Sequence, residues 1–215
     1  MLRILLADDH EIVRRGLKEL LEEQVGWTVC AEAANGREAV ELAVESRPHV
    51  AVLDFSMPEL NGLEATRRIR EAAPETEVLI FTMHESEELI REVLSAGARG
   101  YLLKSDATRQ LIPAVESVSR HMPYFSGRVS AVVLDGFLKG RPAQPVPLGA
   151  ERLTSREREI VQLLAEGNSN KAIATRLDLS VKTVETHRAS VMRKLDLNSL
   201  ADIVRFAVRN HIIQP

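Results

Sequence analysis

The feature that most constrains the fold is a fivefold alternation, over residues 1–121, between short apolar runs and longer amphipathic stretches. The apolar runs have the length and the β-branched content of strands, and the stretches between them have helical spacing. The five predicted strands are Leu2 to Ala7, Val29 to Ala33, Val50 to Asp54, Val78 to Thr82 and Gly100 to Leu103. Such alternation favours right-handed crossovers and a parallel sheet with helices on both faces. We therefore expect an α/β, doubly wound first domain.

Chemically active side chains follow these predicted strands at their carboxyl ends. They are Asp8 and Asp9 after the first strand, Asp54 at the end of the third, Thr82 at the end of the fourth and Lys104 after the fifth. In a parallel sheet the carboxyl ends of the strands lie at one edge, where ligands bind. Three carboxylates, a hydroxyl and an ammonium group should therefore converge there.

The predicted cluster has the chemistry of a metal-assisted phosphoryl acceptor. Two adjacent acids and a third from another strand provide oxygen ligands for a hard cation such as Mg²⁺. A cation there would offset the charge of a phosphoryl donor, so that the carboxylate of Asp54 could attack phosphorus. Lys104 would hold one phosphoryl oxygen, and the hydroxyl of Thr82 would donate to another. A lone aspartate at a strand end is more often a cap or turn residue, but this set is specific.

Residues 1–121 resemble the receiver domain of bacterial response regulators. The residues that carry the resemblance are Asp8-Asp9, Asp54-Phe55-Ser56-Met57-Pro58, Thr82, Tyr101 and Lys104. The resemblance implies a five-stranded flavodoxin-like fold, a phosphoacceptor at Asp54, a switch hydroxyl at Thr82 and a switch aromatic at Tyr101. It also implies Mg²⁺ bound with help from the backbone carbonyl of Ser56, and a sensor histidine kinase as partner.

Two residues beside the predicted site correspond to positions that vary in the family. Ser56 follows the phosphoacceptor by two residues, and His84 follows Thr82 by two. The resemblance implies that both influence the lifetime of the phosphoryl group. By itself, His84 is most simply interpreted as a histidine of a surface loop.

Composition bears on the location of the protein. The single cysteine among the 215 residues, Cys30, allows no internal disulfide and fits a reducing compartment. The amino terminus reaches Asp8 too soon for a signal-peptide core, and no apolar run approaches the ~20 residues of a membrane span. We expect a cytoplasmic protein without a membrane partner.

Charge divides the chain into an acidic front and a basic back. Residues 151–215 carry 11 Lys and Arg against 8 Asp and Glu, a net charge of +3, which leaves −6 for residues 1–150. Between the two parts, residues 128–139 could form a short amphipathic helix, and residues 140–149 contain Pro142, Pro145 and Pro147. Such a proline-rich segment suits a semi-extended linker. We predict a first domain over residues 1–121, a linker over 122–150 and a second domain over 151–215.

The back of the chain has the pattern of a helix-turn-helix domain. Thr154-Ser155-Arg156-Glu157 predicts a capping box at the start of an amphipathic helix. A second short helix, the turn Asp178-Leu179-Ser180 and a third helix to about Leu195 follow. On a helical wheel, Val184 and Val191 mark the apolar side of the third helix, and polar or small residues lie opposite. The residues predicted opposite are Lys182, Glu185, Thr186, Ala189 and Arg193.

Residues 153–213 resemble the LuxR-type helix-turn-helix domain over essentially its full length. The matching segments are residues 153–159, 167–174 and 180–187. The resemblance implies that the third helix binds double-stranded DNA through Lys182, Thr183, Glu185, Thr186, Arg188, Ala189 and Arg193. Arg188 lies nearer the apolar side and favours a phosphate contact. Many relatives have lysine at the position of Glu185, and an acid there can accept from a cytosine amine but repels phosphate.

The last predicted helix, roughly residues 199–211, is apolar nearly all round. One face should therefore pair with a second copy of the chain, and in the family this helix is the dimer contact. Together the two resemblances imply a NarL/FixJ-type response regulator. In that interpretation a phosphoryl group on Asp54 promotes dimerisation and promoter binding, and the chain is no enzyme beyond self-dephosphorylation.

Two other classes of function remain open at the level of sequence. An aspartyl-nucleophile phosphohydrolase shares the chemistry of acid and Mg²⁺, but such enzymes usually carry a second acid where this chain has Ser56. A small-molecule-sensing regulator could carry the same DNA-binding domain. An aromatic content of 4% and no evident apolar ligand pocket argue weakly against that second class.

Overall fold

The computed structural model describes residues 1–127, 129–131 and 153–213. The chain divides into two compact units, one up to residue 144 and one from residue 145 onward. The predicted amphipathic helix at 128–139 and the proline-rich linker at 140–149 lie almost wholly outside the described residues. No helix within the described ranges is long and apolar enough to cross a membrane.

The first unit is a parallel sheet wound with helices, as the alternation predicted. Its strands have the order β2-β1-β3-β4-β5-β6. The elements are β1 Leu2–Ala7, α1 Glu11–Glu22, β2 Trp27–Ala33, α2 Gly36–Ser46, β3 Val50–Asp54, α3 Gly62–Ala72, β4 Glu77–Thr82, α4 Glu87–Ser95, β5 Gly100–Leu103, α5 Ala107–Ser119 and β6 Tyr124–Phe125.

The sheet has six strands, whereas the sequence pattern predicted five. β6 pairs in parallel with β5, through Gly100 with Tyr124 and Tyr101 with Phe125. Two residues are too few to show strand periodicity, so β6 has no readable sequence signal. Its pairing nevertheless places residues beyond the predicted end at 121 in the sheet of this unit.

The core of the first unit lies on both faces of the sheet. In β3, Ala51 and Leu53 pack on one face with α2, α3 and α4. Val50 and Val52 pack on the other face with α1 and α5. A strand buried on both faces carries a continuous apolar run, which explains the sequence that leads into Asp54.

The segment after β3 is held close to the strand by Gly62. A Cβ atom at this position would lie 2.4 Å from the carbonyl oxygen of Asp54, so only glycine permits this close approach. Asn61 caps the helix that follows, because its side chain accepts from the backbone N–H of Glu64. The loop that carries Phe55 and Ser56 is thereby fixed at both ends.

The second unit is a small helical domain. Its helices are α6 Ser155–Ala165, α7 Asn170–Arg176, α8 Val181–Leu195 and α9 Leu200–Arg209. The predicted capping box is confirmed, because the side chain of Thr154 accepts from the N–H of Glu157 and the Glu157 side chain accepts from the N–H of Thr154. α8 begins after Ser180, whose side chain accepts from the N–H of Thr183. The four helices share one apolar core around Ile160, Val184 and Ile203.

Candidate functional site

The carboxyl edge of the sheet brings Asp8, Asp54 and Lys104 into contact. Asp8 follows β1, Asp54 ends the adjacent β3, and Lys104 follows β5. The Nζ atom of Lys104 lies 2.6 Å from Oδ2 of Asp8 and 3.0 Å from Oδ2 of Asp54. Both carboxylates are buried, at 1% and 3% exposure. One cation therefore bridges two buried acids that are 46 residues apart in the chain.

Four metal-ligating side chains meet at the same edge. One ligand atom from each of Asp8, Asp9, His10 and Asp54 lies within 4.8 Å of the others. Asp9 and His10 are exposed, and Nδ1 of His10 lies 2.8 Å from Oδ1 of Asp9. His10 was not among the predicted site residues, although its place directly after the acidic pair was a signal that could have identified it.

Burial and charge act in opposite directions on the titration of the cluster. Burial raises the pKa of Asp54 above its usual value, and the nearby ammonium group of Lys104 only partly opposes this. For Lys104, burial alone would lower the pKa, but the carboxylates of Asp54 and Asp8 raise it above its usual value. Lys104 therefore keeps its charge at neutral pH, and Asp54 is a carboxylate whose charged form is poorly solvated.

His84 contacts the side chains that surround Asp54. Its backbone N–H donates to Oγ1 of Thr82 at 3.2 Å, and its carbonyl accepts from the hydroxyl of Tyr101 at 2.8 Å. Its ring lies 3.1 Å from Oγ of Ser56 and packs edge-on against Phe55. His84 therefore lies in a loop, as the sequence indicated, but it is half-buried and contacts residues beside the predicted site. The sequence could not show the contact with Ser56, because it joins loops 28 residues apart.

The structure places the two predicted switch residues inside the fold. Thr82 is fully buried and follows Phe81, which pairs with Asp54 across β3 and β4. Tyr101 is also fully buried, and burial raises the pKa of its hydroxyl. The aromatic ring of Tyr101 therefore lies in the interior of the first unit.

The outward face of α8 is polar, as the helical wheel indicated. Val184 and Val191 are buried. Besides Val181 at the start of the helix, the exposed residues are Lys182, Glu185, Thr186, Ala189 and Arg193. Thr183 and Arg188 are half-buried, and the hydroxyl of Thr183 lies 2.8 Å from that of Ser180, at the cap of the helix.

The charges on α8 differ in how they are paired. Lys194, on the inner side, lies 2.6 Å from Oε2 of Glu157 in α6. Within the described residues, by contrast, the side chains of Lys182, Arg188 and Arg193 have no ion pair or hydrogen bond. Three cations are thus available to a ligand outside the domain.

Comparison with known proteins identifies both units. Residues 4–116 match the family of response regulator receiver domains. Residues 151–207 match the family of bacterial regulatory proteins of the luxR type. The chain therefore belongs to the response regulators that join a receiver domain to a LuxR-type regulatory domain.

Relatives of known identity match the chain over its whole length. It is 39% identical to the oxygen regulatory protein NreC of Staphylococcus epidermidis, covering 99% of this chain and 100% of that protein. It is 37% identical to the transcriptional regulatory protein LiaR of Bacillus subtilis, with the same coverage. A LuxR-family two-component response regulator from Aurantimonas has a solved structure with 37% identity and a TM-score of 0.60, covering 63% of this chain and 97% of that one.

Proposed function

We propose that the protein is a transcription regulator that accepts a phosphoryl group on Asp54 from a sensor histidine kinase and then binds double-stranded DNA as a dimer. The observation that carries the proposal is the bridge from Lys104 to the buried Asp8 and Asp54 at the ligand-binding edge of a parallel sheet. The luxR-family match of the second unit supports the DNA-binding half.

In this function Asp54 is the nucleophile. Its burial leaves the carboxylate with few water molecules to displace, and Lys104 lies beside it to hold a phosphoryl oxygen. The hydroxyl of Thr82, one residue beyond the partner of Asp54 in the sheet, would donate to a second oxygen. Tyr101 would respond through His84, which contacts both hydroxyls.

The acidic cluster fits Mg²⁺ in its donor chemistry. Asp8, Asp9 and Asp54 supply hard carboxylate oxygens within reach of one ion, and the backbone carbonyl of Ser56 would complete the set. When bound, the ion would supply charge that offsets the phosphoryl oxygens. Lys104, which lies between Asp8 and Asp54, would hold a phosphoryl oxygen beside that site.

The second unit would bind DNA through α8. Lys182, Thr186, Ala189 and Arg193 are exposed along one side of the helix, where a major groove can accept them. Arg188 is half-buried and suits a phosphate contact at the edge of that surface, and Thr183 suits one beside the helix start.

Dimerisation would link the two functions. In α9, Ile203 and Ala207 are buried in the core of the domain, while Leu200 remains 43% exposed and Val204 is half-buried. A second copy could cover these apolar side chains. The proposal keeps a first domain, a linker and a second domain over 151–215, but the first domain extends beyond the predicted limit of 121, because β6 at Tyr124–Phe125 belongs to its sheet.

A binding experiment tests this function as a whole. The full chain is incubated with a pool of random DNA duplexes, with and without acetyl phosphate and Mg²⁺, and the retained duplexes are sequenced. Phosphorylation should enrich a motif of two half-sites centred about one helical turn apart. A chain that is phosphorylated but retains no sequence preferentially would contradict the DNA-binding function.

A further inference from the structure

The acid on the outward face of α8, Glu185, occupies an unusual electrostatic position. It is the fifth residue of the helix and is exposed between Lys182, one turn before it, and Ala189, one turn after it. In helix-turn-helix proteins this part of the second helix contacts base edges. The carboxylate would therefore be carried into the groove with the cations that surround it.

Glu185 has no partner within the part of the chain that the structure describes. Three other acids of the same unit are paired, Glu157 with Lys194, Glu159 with Arg156 and Asp202 with Arg205, whereas Asp178 and Asp196 resemble Glu185 in having no such pair among the described residues. Glu185 has neither a hydrogen bond nor an ion pair there, so its role is not to hold the domain together. An unpaired carboxylate brought against DNA loses its hydration and is repelled by phosphate. Binding is favourable only if the DNA supplies a donor.

The major groove offers few donors. They are the 4-amino group of cytosine and the 6-amino group of adenine. In adenine the acceptor N7 lies beside the 6-amino group. A carboxylate that approaches the amino group is therefore repelled by N7. Thymine presents only the acceptor O4 and a methyl group, and guanine presents only acceptors. Cytosine is therefore the base that a carboxylate can satisfy.

We propose that Glu185 is a specificity-determining residue that accepts a hydrogen bond from the 4-amino group of one cytosine in each half-site. This inference rests on the proposed DNA-binding function. The carboxylate of Glu185 is repelled by phosphate and so lowers the affinity for every duplex. The hydrogen bond offsets this loss only in duplexes that present a cytosine to Glu185. The neighbouring Ala189 leaves space for the side chain to reach the base, since its methyl group is the smallest side chain on that face.

The test compares the sequences selected by variants of the full chain. The phosphorylated wild type, Glu185→Ala, Glu185→Gln and the control Asp196→Asn are each given the random duplex pool, and the bound duplexes are sequenced. Asp196 is an exposed acid at the end of the same helix with φ 53°, a conformation that asparagine tolerates. The control therefore removes the same charge from α8 without touching the proposed contact.

We expect the wild type and Asp196→Asn to select cytosine at one position of each half-site and to bind a thymine duplex about tenfold or more weakly. Glu185→Ala should lose that preference alone, keep the rest of the motif and bind random DNA more tightly. Glu185→Gln should shift the preference toward adenine, because glutamine pairs with its N6 and N7.

Two results would overturn the inference, and they differ from failure of the function itself. If Glu185→Ala selects the same bases as the wild type with the same discrimination, the carboxylate is only solvated surface. If the base pair that depends on Glu185 is A·T rather than C·G in the wild type, the assignment to cytosine is wrong. If the wild type selects no motif at all, the DNA-binding function fails, and the inference fails with it.

Discussion

At the scale of single residues, the receiver site depends on opposing effects at Asp54. Burial disfavours its charged form, while Lys104 at 3.0 Å favours it. A buried carboxylate beside a cation is reactive toward an electrophile because water does not shield it. The same cation also lies 2.6 Å from Asp8, so any group that binds Asp8 changes the environment of Asp54.

Asp54→Asn should abolish phosphorylation by acetyl phosphate in the presence of Mg²⁺, because the amide is not a nucleophile toward phosphorus. Intact-mass spectrometry of the wild type should show one added phosphoryl group that is labile in both acid and alkali. Asp178→Asn, an exposed acid at φ 52° in the second unit, should label like the wild type. Unchanged labelling of Asp54→Asn would remove Asp54 as the acceptor.

At the scale of secondary-structure elements, Glu157 joins the start of α6 to the end of α8. Besides closing the capping box, it accepts from Oγ of Ser190 at 2.9 Å and from Nζ of Lys194 at 2.6 Å. Burial would raise the pKa of Glu157, but the bonds from Lys194, Thr154 and Ser190 lower it to about 2. The charged form of one acid therefore holds the helix that carries the DNA-binding face.

Glu157→Gln should destabilise the second unit by about 1–2 kcal/mol at neutral pH, after allowance for solvent screening. Because the folded pKa lies below that of an unfolded glutamate, this stabilisation is present above about pH 4.3 and is lost as the pH falls toward 2. Thermal melts followed by circular dichroism should show the gap between wild type and variant narrowing from pH 5 to pH 3.

The matched control for this change is Glu185→Gln, the same substitution at an exposed glutamate of the same unit. Its melting temperature should equal that of the wild type at neutral pH. A Glu157→Gln variant that also melts like the wild type would show that the link between α6 and α8 contributes nothing to stability.

The outward face of α8 gives a second prediction at this scale. Lys182→Ala and Thr186→Ala should each weaken specific DNA binding by about 1–3 kcal/mol without lowering the melting temperature, since both side chains are exposed. Footprinting of the phosphorylated chain on its selected duplex measures the loss. Arg209→Ala, which removes an exposed cation from the end of α9, is the control. Normal footprints from both α8 variants would show that this face is solvated surface and does not contact DNA.

At the scale of the whole molecule, the question is how a phosphoryl group in one unit changes DNA binding by the other. Thr82 and Tyr101 border α4 through the loop that contains His84. Movement of the Thr82 hydroxyl toward a phosphoryl oxygen would break its bond with the His84 N–H and alter the surface near α4. The DNA-binding face belongs to the other compact unit.

Phosphorylation should therefore raise affinity for the full DNA site mainly by promoting dimerisation. Two tethered copies of α8 gain affinity through effective concentration alone. A fragment from Ala150 to Pro215 should bind a half-site about as well as the phosphorylated chain does, and fusion of the fragment to an unrelated dimeric domain should restore affinity for the full site. Titration by fluorescence anisotropy compares the three proteins, with the unfused fragment as control.

A fused dimer that stays weak while the phosphorylated native chain binds tightly would contradict this account. The receiver would then have to act directly on the DNA-binding domain. Sedimentation of the full chain with and without acetyl phosphate separates the two cases, because only the dimerisation account requires the mass to change together with the affinity.

The sequence by itself determined the features that repeat within one element. The apolar runs predicted a parallel α/β sheet, their last residues predicted the edge where Asp8 and Asp54 meet, and the wheel of α8 predicted which side chains are exposed. These features are readable because a strand or helix imposes its own period on the chain, whatever it packs against.

Only the tertiary structure decided which side chains pair across elements. It placed Lys104 between Asp8 and Asp54, the ring of His84 against Ser56, and Glu157 against Lys194. It also added β6, whose two residues form a strand only because β5 offers them an edge. The side-chain pairs join residues 28 to 96 positions apart, so the periodicity of a single strand or helix cannot reveal them. These pairs depend on how the elements pack against one another. Packing fixes the distances between their atoms, which the pattern within one element does not determine.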